Sequence, residues 1–158
     1  MFYAALKTLH LLSLIVWIGG MVFVPFFLRP AAARLEAPDR VQLMHEVLGR
    51  FFNAVLAAAG LVLVTGVWMI GRVAKQTVQA GATFNMPVTW MAMAVLGLLM
   101  MAIFGHIRFG LYKRLTRAVA ASAWPAGGEV LASIRTWVLI NLALGVVIVV
   151  LTLVGPAA

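Results

Sequence analysis

The chain has 158 residues, of which 65% are hydrophobic and 10% charged, with a net charge of +8 and no cysteine. A soluble domain carries nearer ~25% charged residues, so this is the composition of a membrane protein. The missing cysteines exclude disulfides, thiolate metal centres and iron–sulfur ligation. The positive charge does not point to nucleic acid, because the basic residues flank apolar runs, where they anchor against anionic headgroups.

Four apolar runs follow one another: Leu9 to Leu28, Phe51 to Gly71, Met86 to Ile107 and Thr136 to Gly155. Each is close to the ~20 residues a helix needs to cross a bilayer, and a backbone in lipid must satisfy its own hydrogen bonds. The expectation is an all-α, integral membrane four-helix up-down bundle forming one domain over 1–158, with spans near 4–28, 50–72, 86–110 and 132–155. The first run is too long for a signal-peptide core and is followed by Arg29 and Pro30, so it reads as a retained helix.

Pro30 is expected to stop the first helix. Asp39 reads as the N-cap of the second, with Pro38 before it. Val41, Met44, Leu48 and Phe52 recur at helical spacing, so this helix begins before the bilayer and enters it near Arg50. Lys75 to Asn85 is polar and contains Gly81, which predicts a loop or a short interfacial helix. Pro125, Gly127 and Gly128 are expected to break the chain, with a new helix starting near Glu129. Gly19, Gly20, Ala57 to Gly60, Gly66, Gly97 and Gly145 are the small residues that let helices approach closely in lipid.

Charge sets the expected orientation. Nine basic residues (Arg29, Arg34, Arg40, Arg50, Arg108, Lys113, Arg114, Arg117 and Arg135) fall beside connectors one and three, against Lys7, Arg72 and Lys75 on the other face. By the positive-inside rule the basic loops are cytoplasmic and both termini lie outside, N-out/C-out, in a bacterial inner membrane crossed several times.

The polar residues within or beside the spans are Lys7, His10, Ser13, Asn53, Thr65, His106, Arg108 and Asn141. No span holds a carboxylate, which argues against a carboxylate proton or cation relay, and no nucleophile or paired acid suggests hydrolysis. His10 shares a face with Lys7, Leu14, Trp17 and Met21; its imidazole suits a metal, a haem iron or a proton relay, or simply a helix–helix hydrogen bond. Met69, Met86, Met91 and Met93 gather at the same face of the membrane. Thioethers and imidazole together favour Cu(I), so His10 with Met69, Met91 and Met93 forms one candidate metal set, the alternative being that the methionines only fill the core. His106 lies in a cluster with Arg108 and Lys113 that suits either lipid headgroups or haem propionates. His10 and His106 differ in depth by roughly 15 Å at ~1.5 Å per residue, too far to share one haem, which leaves His45 as the geometric partner for His106. Haem b held by His10, His106 or His45 is therefore the alternative cofactor to copper; in that case an enzyme would be a haem-dependent oxidoreductase. The third reading is a cofactor-free membrane assembly subunit whose histidines only make helix contacts. Arg50, Asn53, Arg135 and Asn141 read as structural, with the two asparagines hydrogen-bonding across helices.

The segments "LHLLSLIVWIGGMVFVPFFLRP", "GRFFNAVLAAAGLVLVTGVW", "GHIRFGLYKRL" and "WPAGGEVLASIRTWVLINLALG" resemble the copper-resistance protein D (CopD) family, in particular its short four-helix members. The resemblance implies copper binding or passage at the inner membrane, alongside a periplasmic copper or redox protein. A fainter likeness, through His10, Trp17, Gly20, Pro25 and a late histidine in the third helix, is to HemJ-type protoporphyrinogen oxidases; it implies haem and makes His10 and His106 the residues to watch. The expected partners are the lipid bilayer and, for so small a bundle, a homodimer; nucleic acid is not among them.

Overall fold

The computed structural model describes residues 2–154. Gly155, the predicted end of the fourth span, lies outside the described residues. Four helices, α1 (Phe2–Ala32), α2 (Ala37–Gln79), α3 (Val88–Ala120) and α4 (Trp124–Val154), are each long and apolar enough to cross a membrane. Among the described residues there is no strand. The fold is an all-α membrane four-helix bundle, up-down-up-down, with both ends of the chain on one side, the terminal end, and the basic turns on the other, the basic end.

Large apolar side chains such as Ile15, Phe27, Val64, Val67 and Leu153 point outward, as a lipid-facing surface requires. Lipid removes the hydrophobic drive between helices, so close packing must hold them together. Trp17, Phe52 and Phe104 bring α1, α2 and α3 into one aromatic core, with edge-on ring contacts at 6.0 Å from Phe104 to each of the other two. Such pairs are worth ~0.5–1.5 kcal/mol each beyond area burial. Gly20 is what lets α1 meet α2: a Cβ there would fall inside the Phe51 ring. By contrast Gly19, Gly60 and Gly97, also expected at interfaces, have no such neighbour within 4 Å.

The helix ends depart from the sequence expectation in four places. Pro30 does not stop α1, which runs on to Ala32. Just before it the chain forms a wide π-turn, Val24–Leu28, in which the Arg29 N–H donates to Val24 O five residues back. A proline crowds the carbonyl four residues before it, and the widened turn absorbs that conflict. α2 starts at Ala37 with Glu36, not Asp39, in the N-cap position, and Pro38 and Asp39 sit in its first turn. It is continuous to Gln79, so much of the predicted second connector is helix. α4 starts at Trp124, so Pro125, Gly127 and Gly128 begin a helix instead of breaking one. Proline needs no N–H donor in a first turn, and Gly127 is small for packing: a Cβ there would stand 2.8 Å from a Val41 methyl.

Two of the three breaks between helices share one form. Gly81 (φ 79°) and Ser122 (φ 51°) take the left-handed conformation. The following residues close Schellman motifs, with Ala82 N–H on Thr77 O at 3.1 Å and Ala123 N–H on Ala118 O at 2.9 Å. A second π-turn, His106–Leu111, lies in α3.

Candidate functional site

His10 lies between α1 and α2 near the terminal end, half-buried. Its Nδ1 is 2.8 Å from Thr65 Oγ1. Thr65 is only 2% exposed, and its hydroxyl donates to the Leu61 carbonyl one turn back, at 2.5 Å. A hydroxyl has one proton, so toward His10 the oxygen accepts and Nδ1–H donates. This assigns the tautomer from the hydrogen-bond network and leaves Nε2 with its lone pair. A ligating histidine characteristically has its other ring nitrogen pinned in this way. Gly66 lies beside the ring, where a Cβ would make an ordinary contact 3.5 Å from His10 Cε1. On the same face of α1, Ser13 folds back onto Leu9 O at 2.8 Å, while Trp17 and Met21 are buried.

The predicted methionines divide between the two helix pairs. Met69 stands on α2 one turn beyond Thr65, on the face that carries it, and is half-buried. Met91 is 50% exposed on α3. Met93 Sδ accepts a hydrogen bond from Thr152 of α4 at 3.0 Å. Among the described residues no group of three or more His, Cys, Asp or Glu side chains is placed to hold a metal.

Apart from His10, the residues of the haem alternative lie toward the basic end and meet different neighbours. His45 on α2 stacks on Tyr112 of α3, with centroids 5.1 Å apart and planes 7° apart, and its Nε2 is 3.0 Å from Thr116 Oγ1. His106 is exposed and packs edge-on against Trp137 of α4 at 5.2 Å. Arg108 donates to Asn53 Oδ1 at 3.1 Å and covers the Tyr112 ring at 5.2 Å. Lys113 is exposed.

These contacts form a seam that the sequence reading missed. On α2 the residues at four-residue spacing are His45, Gly49 and Asn53; on α3 they are Arg108, Tyr112 and Thr116. Running antiparallel, they pair as three rungs: Asn53 with Arg108, Gly49 with Tyr112 and His45 with Thr116. The middle rung requires glycine, because a Cβ at position 49 would collide with the Tyr112 hydroxyl, which itself donates to His45 O at 3.2 Å. The matching four-residue spacing was the available signal.

Asn53 joins α2 to α3 by a hydrogen bond, as expected of it, but Asn141 makes no such link through its Oδ1. Asn53 is engaged by Arg108, while Asn141 is 1% exposed on the inward stripe of α4 with its Oδ1 unpartnered. The two side chains face different neighbours, which the sequence spacing could not show.

The sequence model of the family described as copper resistance protein D matches residues 45–154, more than half of the chain. No curated protein and no solved structure matches it. The chain belongs to the copper resistance protein D family; the matched stretch covers α2 from His45 onward, α3 and α4, and α1 with His10 precedes it.

Proposed function

We propose that this member of the copper resistance protein D family takes Cu(I) as cargo at the terminal end of the bundle, with His10 Nε2 as its nitrogen donor and Met69, one turn beyond Thr65 on α2, as a sulfur donor. Met91 and Met93 supply further thioethers along the α3–α4 pair. The observation that carries this reading is the hydrogen bond from His10 Nδ1–H to Thr65: it fixes the ring and directs the free nitrogen lone pair. Imidazole and thioether are compatible soft donors that select Cu(I) over the harder divalent ions. Family membership supports copper as the metal. The nine-to-three distribution of basic residues supports a bacterial inner membrane with the basic end cytoplasmic. The terminal end then faces the periplasm, where a soluble copper or redox protein would deliver or collect the ion.

The test is Cu(I) titration of the purified protein against a chromophoric chelator under reducing conditions. His10→Ala is expected to weaken binding by more than the ~10–100-fold typical of losing an outer-shell partner. Unchanged affinity would refute the site. An absorption spectrum of the same preparation decides against the reading from the other side: a Soret band lost in His10→Ala or His106→Ala would make haem the cargo of these histidines.

A further inference from the structure

At the basic end, between α1, α2 and α4, lies a cavity of about 500 Å3, within the ~300–1,000 Å3 usual for ligand sites. Its walls include Pro25, Leu48 and Val138, one from each helix, and its polar groups include Arg29, Arg40 and Arg135, again one from each helix. No carboxylate lines it. The wide turn at Val24–Leu28 shapes the α1 wall, carrying the chain from Pro25 to Arg29 along the cavity side.

Three guanidinium groups around one space repel each other and any copper ion. Their planar forks match phosphate oxygens. A free phosphate would satisfy the arginines and leave the apolar walls uncovered. A ligand that answers both features carries phosphate at one end and hydrocarbon at the other. Basic pockets between spanning helices are a known setting for acidic lipid headgroups. We propose that this cavity binds one anionic phospholipid, its phosphate among Arg29, Arg40 and Arg135 and the start of an acyl chain against Pro25, Leu48 and Val138. The lipid would then tie α1 to α2 and α4 where α1 makes no side-chain hydrogen bond to either among the described residues. This inference stands apart from the copper site and does not depend on it.

The experiment is native mass spectrometry of the purified full chain in detergent with equal phosphatidylglycerol and phosphatidylcholine. Wild type is expected to retain phosphatidylglycerol preferentially. R40Q/R135Q should reduce that preference about twenty-five-fold, at roughly fivefold per basic residue. R114Q/R117Q removes two charges that lie outside the cavity and should change it less than about twofold. If R40Q/R135Q does not fold, R135Q alone, at an exposed position, should show a loss of about fivefold. An equal loss in R114Q/R117Q would mean general surface charge and overturn the site. Displacement of the lipid by millimolar inorganic phosphate would mean an anion site without a lipid tail and overturn the lipid assignment. Retention of phosphatidylglycerol by R40Q/R135Q would overturn both.

Discussion

The two ends of this bundle are tied together differently. At the terminal end each hydrogen bond between helices stays within a helix pair: His10 to Thr65 joins α1 and α2, and Thr152 to Met93 joins α3 and α4. At the basic end the bonds cross between the pairs, through Arg108 to Asn53, Tyr112 to His45 O and His45 to Thr116. Among the described residues, every side-chain hydrogen bond between the α1–α2 pair and the α3–α4 pair lies in that seam. Polar groups in lipid are costly unless paired, so the choice of partner decides which helices move together. The basic end is laced into one unit. The terminal end can part between the pairs without breaking a side-chain hydrogen bond, and that is the end where His10 presents its free nitrogen.

The strongest way to break the contrast is to remove the lacing. Gly49→Leu places a side chain where the Tyr112 hydroxyl lies and should destabilise the bundle by about 1–3 kcal/mol, the usual cost of overpacking. Thermal unfolding in detergent reads this, and Cu(I) affinity of the folded fraction should stay close to wild type. A fall in both together would mean that the ends are not separable. A different effect is expected at the other end. Thr65→Val keeps the shape but removes the hydroxyl that fixes the His10 tautomer, so Cu(I) binding should weaken at least ~10-fold, beside a stability loss of about 1 kcal/mol or more from the Nδ1–H left without a partner. The smallest effect sharpens the role of the small residues: Gly19→Ala, with open space at its Cβ, should shift stability within about 0.5 kcal/mol. Gly20→Ala, aimed into the Phe51 ring, should cost clearly more.

Much of this architecture was readable from residue order. Four apolar runs with no internal carboxylate leave a lipid-embedded chain few alternatives to four helices. The helix ends were harder. Pro30, Pro125 and Gly127 carry the usual signals of a break, yet a proline is tolerated after a widened turn or in a first turn, and Gly127 answers to the Val41 side chain of another helix. Such packing demands cannot be seen along one strand of sequence. Thr65 was on the list of intramembrane polar residues, but its pairing with His10 depends on the register of α1 against α2. The seam was latent in the spacing of His45, Gly49 and Asn53 against Arg108, Tyr112 and Thr116, and only an antiparallel register makes two such series face each other. The arginine cavity had no local signal, since its three charges come from three helices.

The most direct test of the account is 15N NMR of histidine-labelled protein during Cu(I) titration. Before copper, His10 should show the neutral ring protonated at Nδ1. Addition of Cu(I) should move the His10 Nε2 resonance and leave His45 and His106 in place. A His10 ring protonated at Nε2 instead, or copper shifts confined to His45 and His106, would contradict the account.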